Sequence, residues 1–410
     1  MTAAADGMVA RREKPDVLVV GAGPSGLMTA LQLRRRGVRV QVIDKHWRTG
    51  THSYALALHP SSLNLLDDLG LLDELSPHGQ RVDTVSFYQG EDLRCQISFP
   101  DLGRKFPYVL VLPQSRLEGA LETALGNEKT QVLWNHRLQS LHETDGHAEI
   151  ARLEQVASGY PIARMEWTVA GTFTARPTFV VGADGYRSLV REKLGIKLAA
   201  EEQPNIYSVY EIETFVDPGH EVRVILDENG ASVMWPMSRN RCRWSFQVAH
   251  ADDHEPTLER LNALLTQRAP WAPRAGGPIS WSSAVMFAPR LAQRFGRGRT
   301  WLTGDAAHMA GPVGVQSMNA GLLEATDLAD RLARILDGKA KNDLLEDYSD
   351  IHLRRWDALL NPGDGLVATA EADPWVKEHA TGILSCMPAT GPDLQLLLRQ
   401  VGLEFNPART

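Results

Sequence analysis

Three glycines in the run Gly21-Ala-Gly23-Pro-Ser-Gly26, together with the carboxylate of Asp44, have the types and spacing to hold a dinucleotide. The first glycine permits a tight turn, the second lets backbone amides approach a pyrophosphate, and the third lets a helix pack closely on a strand. A helix starting there would present unpaired amides and the positive end of its dipole to phosphate. Asp44 lies 23 residues after Gly21, where a carboxylate can accept bonds from ribose hydroxyls. This much leaves open whether the dinucleotide is NAD(P) or FAD.

These groups act together only on a strand–helix–strand unit. The apolar run from Asp16 to Gly21 reads as a buried parallel strand. Residues 24–36 then read as a helix with Leu27, Ala30 and Leu31 on one face, Arg34, Arg35 and Arg36 at its C-terminal end and Gly37 as its stop. Residues 38–43 make the second strand. Further on, helices are expected over 61–69, 115–125, 186–194 and 256–268, and strands over 82–88, 94–99 and 300–303. Several short strand-like runs are expected within 131–182. Strands over 206–248 with little helix between them predict an antiparallel sheet. Leu322, Ala325, Leu328 and Leu332 recur at helical steps in a long amphipathic helix, and a break is expected near 361–365.

Two further motifs carry a family resemblance. Val181-Gly-Ala-Asp-Gly-Tyr-Arg187, continuing to Arg191, resembles the "DG" motif of the single-component FAD-dependent aromatic hydroxylases, the para-hydroxybenzoate hydroxylase family. Leu302-Thr-Gly-Asp-Ala-Ala-His308, followed by Pro312, resembles that family's "GD" motif, and the segment from Phe106 to Gln114, leading into Leu117-Glu118, resembles its stretch beside the flavin. The resemblance implies an α/β fold: a Rossmann-like FAD-binding domain with an inserted antiparallel-sheet substrate domain and a helical C-terminal region. The expected division is a disordered lead-in over 1–14, an FAD-binding domain over 15–80, 105–200 and 290–340, a substrate sheet over 81–104 and 201–289, and the helical region over 341–410.

The resemblance further implies FAD as cofactor and NADPH or NADH as co-substrate. O2 would add to the reduced flavin as a C4a-hydroperoxide and hydroxylate an aromatic or polycyclic, polyketide-type substrate. Gly21, Gly23, Gly26, Asp44, Gln114, Asp184, Gly304, Asp305, Gly314 and Asn319 are the expected cofactor-binding residues. Arg187 and Arg191 are candidates for phosphate, and His308 is expected to pack and hydrogen-bond. No second glycine fingerprint and no CxxC occur, which argues against the two-Rossmann disulfide reductases.

The sequence departs from the family at three places. Tyr54 stands where an arginine is usual and loses its charge and fork, with Arg48 as a candidate replacement. Val315 and Ser317 stand where the family commonly has glycine. A β-branched residue costs ~1–2 kcal/mol wherever positive φ is required. These departures keep two other readings open: a flavoenzyme doing Baeyer–Villiger, reductive or redox-neutral chemistry, or a non-enzymatic ligand-binding protein with weakened FAD binding.

On the substrate side, alternation puts Arg243, Ser245 and Gln247 on one face of a strand and Trp244, Phe246 and Val248 on the other. By resemblance Arg243 faces the flavin, with Trp235, Met237, Tyr210 and Pro312 as candidate pocket residues. No residue is singled out as a catalytic base.

Composition narrows the function classes. The 410 residues carry 43 Lys+Arg against 50 Asp+Glu, a net charge of −7, which disfavours a nucleic-acid binder. The length fits two or three domains at ~150 residues each. No apolar run approaches the ~18–20 residues of a membrane span. Three widely spaced cysteines form no disulfide framework, so a cytoplasmic location is expected. His46, His52 and His59 lack metal-ligand spacing, and no metal is expected.

Overall fold

The apolar run after Asp16 becomes the central strand of a six-stranded, mostly parallel sheet in the computed structural model, which describes residues 14–48, 57–142, 147–158, 164–200, 204–253 and 255–406. Val17–Val20 pairs in parallel with Val40–Ile43 on one side and Phe179–Gly182 on the other. Val132–Leu133 extends the first side, and Thr300–Leu302 and Gly296–Arg297 extend the second. All four residues of the central strand are buried, as the apolar run demands. The chain leaves Val17–Val20 toward opposite edges, and such a switch point opens a crevice at the carboxyl ends of the strands.

Among the described residues there are eleven helices, in chain order α1 (Pro24–Arg35), α2 (Pro60–Asp68), α3 (Leu72–Leu75), α4 (Gln114–Asn127), α5 (Leu189–Lys193), α6 (Leu258–Arg268), α7 (Gln316–Leu336), α8 (Asp343–Leu360), α9 (Pro374–Glu378), α10 (Ala380–Cys386) and α11 (Gly391–Arg399). α1 is wedged between α4 and α7, with Leu27, Ala30 and Leu31 fully buried. The interval read as short strand-like runs instead contains two twelve-residue strands, His147–Ser158 and Arg164–Ala175, in a meander with His136–His142. Their exposed outer positions carry many polar residues, so the apolar pattern understates their length.

A seven-stranded sheet stands over the carboxyl edge of the parallel sheet. Its order is Ile279–Phe287, Asn205–Glu213, Arg241–Val248, Gly230–Ser238, Glu221–Asp227, Thr84–Gln89 and Asp92–Ser98. One parallel pairing, Glu221–Asp227 with Thr84–Gln89, joins two distant segments of chain, and every other neighbour is antiparallel. The outer face buries Ile212, Met234, Trp244 and Phe246 under Leu261, Leu264 and Leu265 of α6. The inner face shares a core with the C-terminal region: Val209, Val233 and Trp235 belong to one cluster with Trp375, Ile383 and Leu397. That region also contains a two-stranded ribbon, Leu366–Ala368 with Leu403–Phe405.

Candidate active site

Two cavities open at the switch point and share Gly23, Ala183 and Gly185 in their walls. The larger, about 550 Å³, is lined by the glycine loop, Asp44, His46, Arg48, Glu118, Trp134, His136 and the segment from Ala183 to Arg187. The smaller, about 280 Å³, lies between the first turn of α1, Gln114, Asp305, the stretch from Met309 to Pro312 and the start of α7, with Phe287 of the inserted sheet at its edge.

The glycine loop has the shape its residues allow. Gly21 holds φ 106°, and a Cβ there would stand 2.2 Å from the Ala183 carbonyl oxygen. A Cβ at Gly26 would lie 2.0 Å from the Gly21 carbonyl oxygen, so the helix can close on the strand only over glycine. Gly23 faces nothing within 4 Å, which leaves room in front of the first amides of α1 for a pyrophosphate. Asp44 ties the loop down: its carboxylate accepts the Ala22 amide and the His46 amide, each at 2.8 Å.

Asp184 lines the larger cavity and accepts the Ser188 hydroxyl at 2.5 Å and the Leu189 and Val190 amides at 2.8 and 3.2 Å. Desolvation raises its carboxyl above the usual range against the pull of these bonds. The helix expected over 186–194 therefore starts only at Leu189, because Gly185 turns the chain at φ 80° and Asp184 caps the first amides of α5. Arg191 corrects a second expectation. Its guanidinium donates to the carbonyls of Ala306 at 2.7 Å and Tyr186 at 3.0 Å, fastening one motif to the other rather than standing ready for phosphate. Arg187 does line the larger cavity, beside the exposed Tyr186 ring.

Asp305 lines the smaller cavity and is exposed to it. Desolvation by the surrounding protein is the main force raising its carboxyl above the ordinary value; His308 opposes this and Glu324 adds to it. Gly304 before it holds φ 61°, and a Cβ there would stand 2.4 Å from the Ser25 hydroxyl. Behind the loop, buried Glu324 accepts the Gly304 amide at 3.2 Å, the His308 ring at 2.7 Å and the Trp356 indole at 2.6 Å. His308 stacks on Trp356 with ring centres 3.8 Å apart, which places it behind the loop and away from the cavity.

Pro312, Val315, Ser317 and Met318 wall the smaller cavity. Val315 caps α7 in the left-handed region, at φ 51° and ψ 34°, so the position that departs from glycine is the one that needs positive φ. Ser317 is helical, and its hydroxyl accepts the Ala310 amide at 2.8 Å. Gln114 lines the cavity and donates to Glu118 at 2.7 Å. Burial pushes the Glu118 carboxyl up to about 7; the Gln114 bond opposes this, and Asp44 and Glu122 add to it.

Several expected site residues lie elsewhere. Gly314 lines neither cavity: its carbonyl accepts the buried His59 ring at 3.0 Å, and a Cβ would press on the Met387 carbonyl at 2.7 Å. Asn319 is buried behind α7's first turn with its amide bonded to protein groups on both sides. Tyr210 faces the outer side of the inserted sheet, because alternation carries it with Ile212 toward α6, and its hydroxyl donates to the Glu255 carbonyl at 2.8 Å. Arg243 and Trp235 lie on the inner face as part of a cross-strand row, Trp281, Glu211, Arg243 and Trp235. Arg243 is buried and donates its Nε to Glu211 at 3.0 Å. It therefore forms a wall pair and does not line either cavity. Met237 is half-buried against the inner core. Tyr54 and His52 lie outside the described residues.

Sequence reasoning missed Trp134, Glu211 and Glu324, and gave Glu118 no role beyond its place after the segment beside the flavin. Glu211 and Glu324 did leave a trace, as single carboxylates at apolar positions of a strand and a helix. Among the described residues no group of three His, Cys, Asp or Glu is placed to hold a metal, and no helix is long and apolar enough to cross a membrane.

One glycine-loop unit, a second acidic loop at the same sheet edge and an inserted sheet define a flavoprotein scaffold with a single dinucleotide fold among the described residues. The chain belongs to the FAD binding domain family, which it matches over residues 14–361, and its cofactor is FAD. It is 31% identical over 348 residues to a 6-methylpretetramide 4-monooxygenase of Streptomyces rimosus, covering 82% of this chain and 58% of that one. It is 30% identical over 341 residues to an uncharacterized aromatic compound monooxygenase of Bacillus subtilis, covering 82% and 65%. The chain thus spans about three fifths to two thirds of the length of these curated relatives. Its fold is that of a p-nitrophenol 4-monooxygenase of Pseudomonas putida, with a TM-score of 0.73, 23% identity and coverage of 95% and 96%.

Proposed function

We propose that this chain is an FAD-dependent monooxygenase that uses NAD(P)H and O2 to hydroxylate an aromatic or polycyclic substrate. The observation that carries the reading is that the two cavities lie side by side and share Gly23, Ala183 and Gly185 in their walls. Gly21, Gly23, Asp44 and Asp184 would hold the adenosine and pyrophosphate end of FAD, and Asp305, Pro312 and the start of α7 its flavin end. The relatives named for 6-methylpretetramide and for an aromatic compound support an aromatic substrate.

The chemistry that bound FAD supplies is electron uptake from the nicotinamide and transfer of one oxygen atom from O2. This chain's residues prepare the place for it. The 21-residue α7 has no side-chain cap at its start and lines the smaller cavity there with Ser317 and Met318, so its first amides would stabilise negative charge. The inserted sheet borders the smaller cavity through Phe287 and would cover the crevice and exclude water there.

The test is reconstitution with FAD followed by anaerobic NADPH. The flavin absorbance should bleach, and admission of air with a polycyclic phenol should give a product heavier by one oxygen atom. A product of unchanged mass would move the assignment to redox-neutral chemistry. Failure to bind FAD would leave a ligand-binding role.

A further inference from the structure

A third cavity, about 420 Å³, lies between α7, α8 and α11 and shares no lining residue with the two cavities of the cofactor groove. Its size is that of a small-molecule site. Leu323, Leu359 and Leu394 contribute apolar surface and Trp356 an aromatic one. Arg354 and Arg355 of α8 also line it, both exposed and neither in an ion pair among the described residues.

The charges around it are unequal in their commitments. Glu324 is the one carboxylate in the wall among the described residues, and its oxygens are taken by Gly304, His308 and Trp356. His352, also in the wall, is held by Asp327 at 3.0 Å. Asp393, in the first turn of α11, is bonded to Arg104 at 3.0 Å. The acidic groups are satisfied while the two guanidinium groups are not. Guanidinium is the donor best matched to the two oxygens of a carboxylate.

We propose that this cavity is a binding site for a small aromatic carboxylate, its rings against Trp356 and the leucines and its carboxylate on Arg354 and Arg355. Glu324 belongs both to this wall and to the bonds that hold Gly304, so the site is joined to the flavin loop through one side chain.

The experiment is calorimetric titration of the FAD-loaded protein with 2-naphthoate, with the neutral 2-naphthamide and inorganic phosphate as comparisons. It needs no turnover and so stands apart from the assignment of the reaction. The wild-type protein is expected to bind 2-naphthoate saturably, and R354A/R355A to bind it at least about tenfold more weakly with FAD affinity unchanged. A358F, which narrows the cavity without touching charge, should weaken it likewise. Equal binding by the wild type and both variants would place the ligand elsewhere and overturn the proposal. So would no binding at all, 2-naphthamide binding as tightly as 2-naphthoate, or phosphate binding as tightly.

Discussion

The side-chain amide of Asn319 donates to the backbone carbonyl of Val315 at 2.8 Å, across the first turn of α7, and Val315 holds φ 51°. A β-branched residue in the left-handed region is strained, and here it is held by a side chain that is itself fully engaged. The second amide hydrogen of Asn319 goes to the Ala57 carbonyl at 2.9 Å, and its oxygen accepts the His59 amide at 2.8 Å and the Ser62 hydroxyl at 2.7 Å. The start of α7, which walls the smaller cavity, is thus fixed from behind.

The strain at Val315 predicts an inverted order of stability. V315G relieves about 1–2 kcal/mol of left-handed strain and gives up a buried side chain of similar worth, so it should sit within about 1 kcal/mol of the wild type. V315A loses buried carbon and keeps part of the strain. In urea unfolding of the FAD-loaded protein, the alanine variant should be less stable than the glycine variant by about 1 kcal/mol. The ordinary helix order, alanine above glycine, would show that the backbone is relaxed there.

Asn319 should be intolerant of an isosteric apolar residue. N319L leaves a buried amide, a hydroxyl and two carbonyls without their partner, a cost of about 4 kcal/mol at roughly 1 kcal/mol for each group. A fall in Tm together with weaker FAD retention is expected. Retained Tm would mean that water replaces the lost bonds.

Glu118 predicts a pH dependence. Its carboxyl is raised to about 7, so between its ordinary value of 4.5 and 7 the folded chain keeps a proton that the unfolded chain releases. Stability from this group is complete below 4.5, falls as pH rises through 7 by up to about 3 kcal/mol, and is level above that. The proposed FAD placement puts a pyrophosphate in the same cavity, so FAD affinity should also fall as pH rises through 7. E118Q should flatten both profiles, and an unchanged pH profile for FAD binding in E118Q would assign the effect to another group.

The Glu211 and Arg243 pair should be costly to break singly. R243M leaves a buried carboxylate whose remaining partner is Arg241, at 3.2 Å, and should destabilise by about 3 kcal/mol. The E211L/R243M double variant should recover much of that loss, because both charges leave together. A double-mutant cycle in urea measures the coupling, and additive losses would refute it.

The cofactor unit was readable from residues 16–44 because its requirements are local. A glycine fingerprint, an apolar strand and a terminal acid must succeed one another at set distances for the turn to form. Asp184 and Asp305 were readable for the same reason, as acids just past buried strands. The substrate side was not. Whether Tyr210 or Arg243 faces the crevice depends on the register of a seven-stranded sheet, and shifting a strand by one residue reverses its faces. Arg191 and Asn319 looked like ligand-binding groups in the linear chain, yet their partners, Ala306 and Ala57, lie more than a hundred residues away. The chain's order thus specifies which groups line the crevice at the sheet edge, through short-range backbone geometry. The assignment of the remaining polar groups to ligand or to protein waits on folding, because a buried polar group bonds to whatever partner packing brings to it.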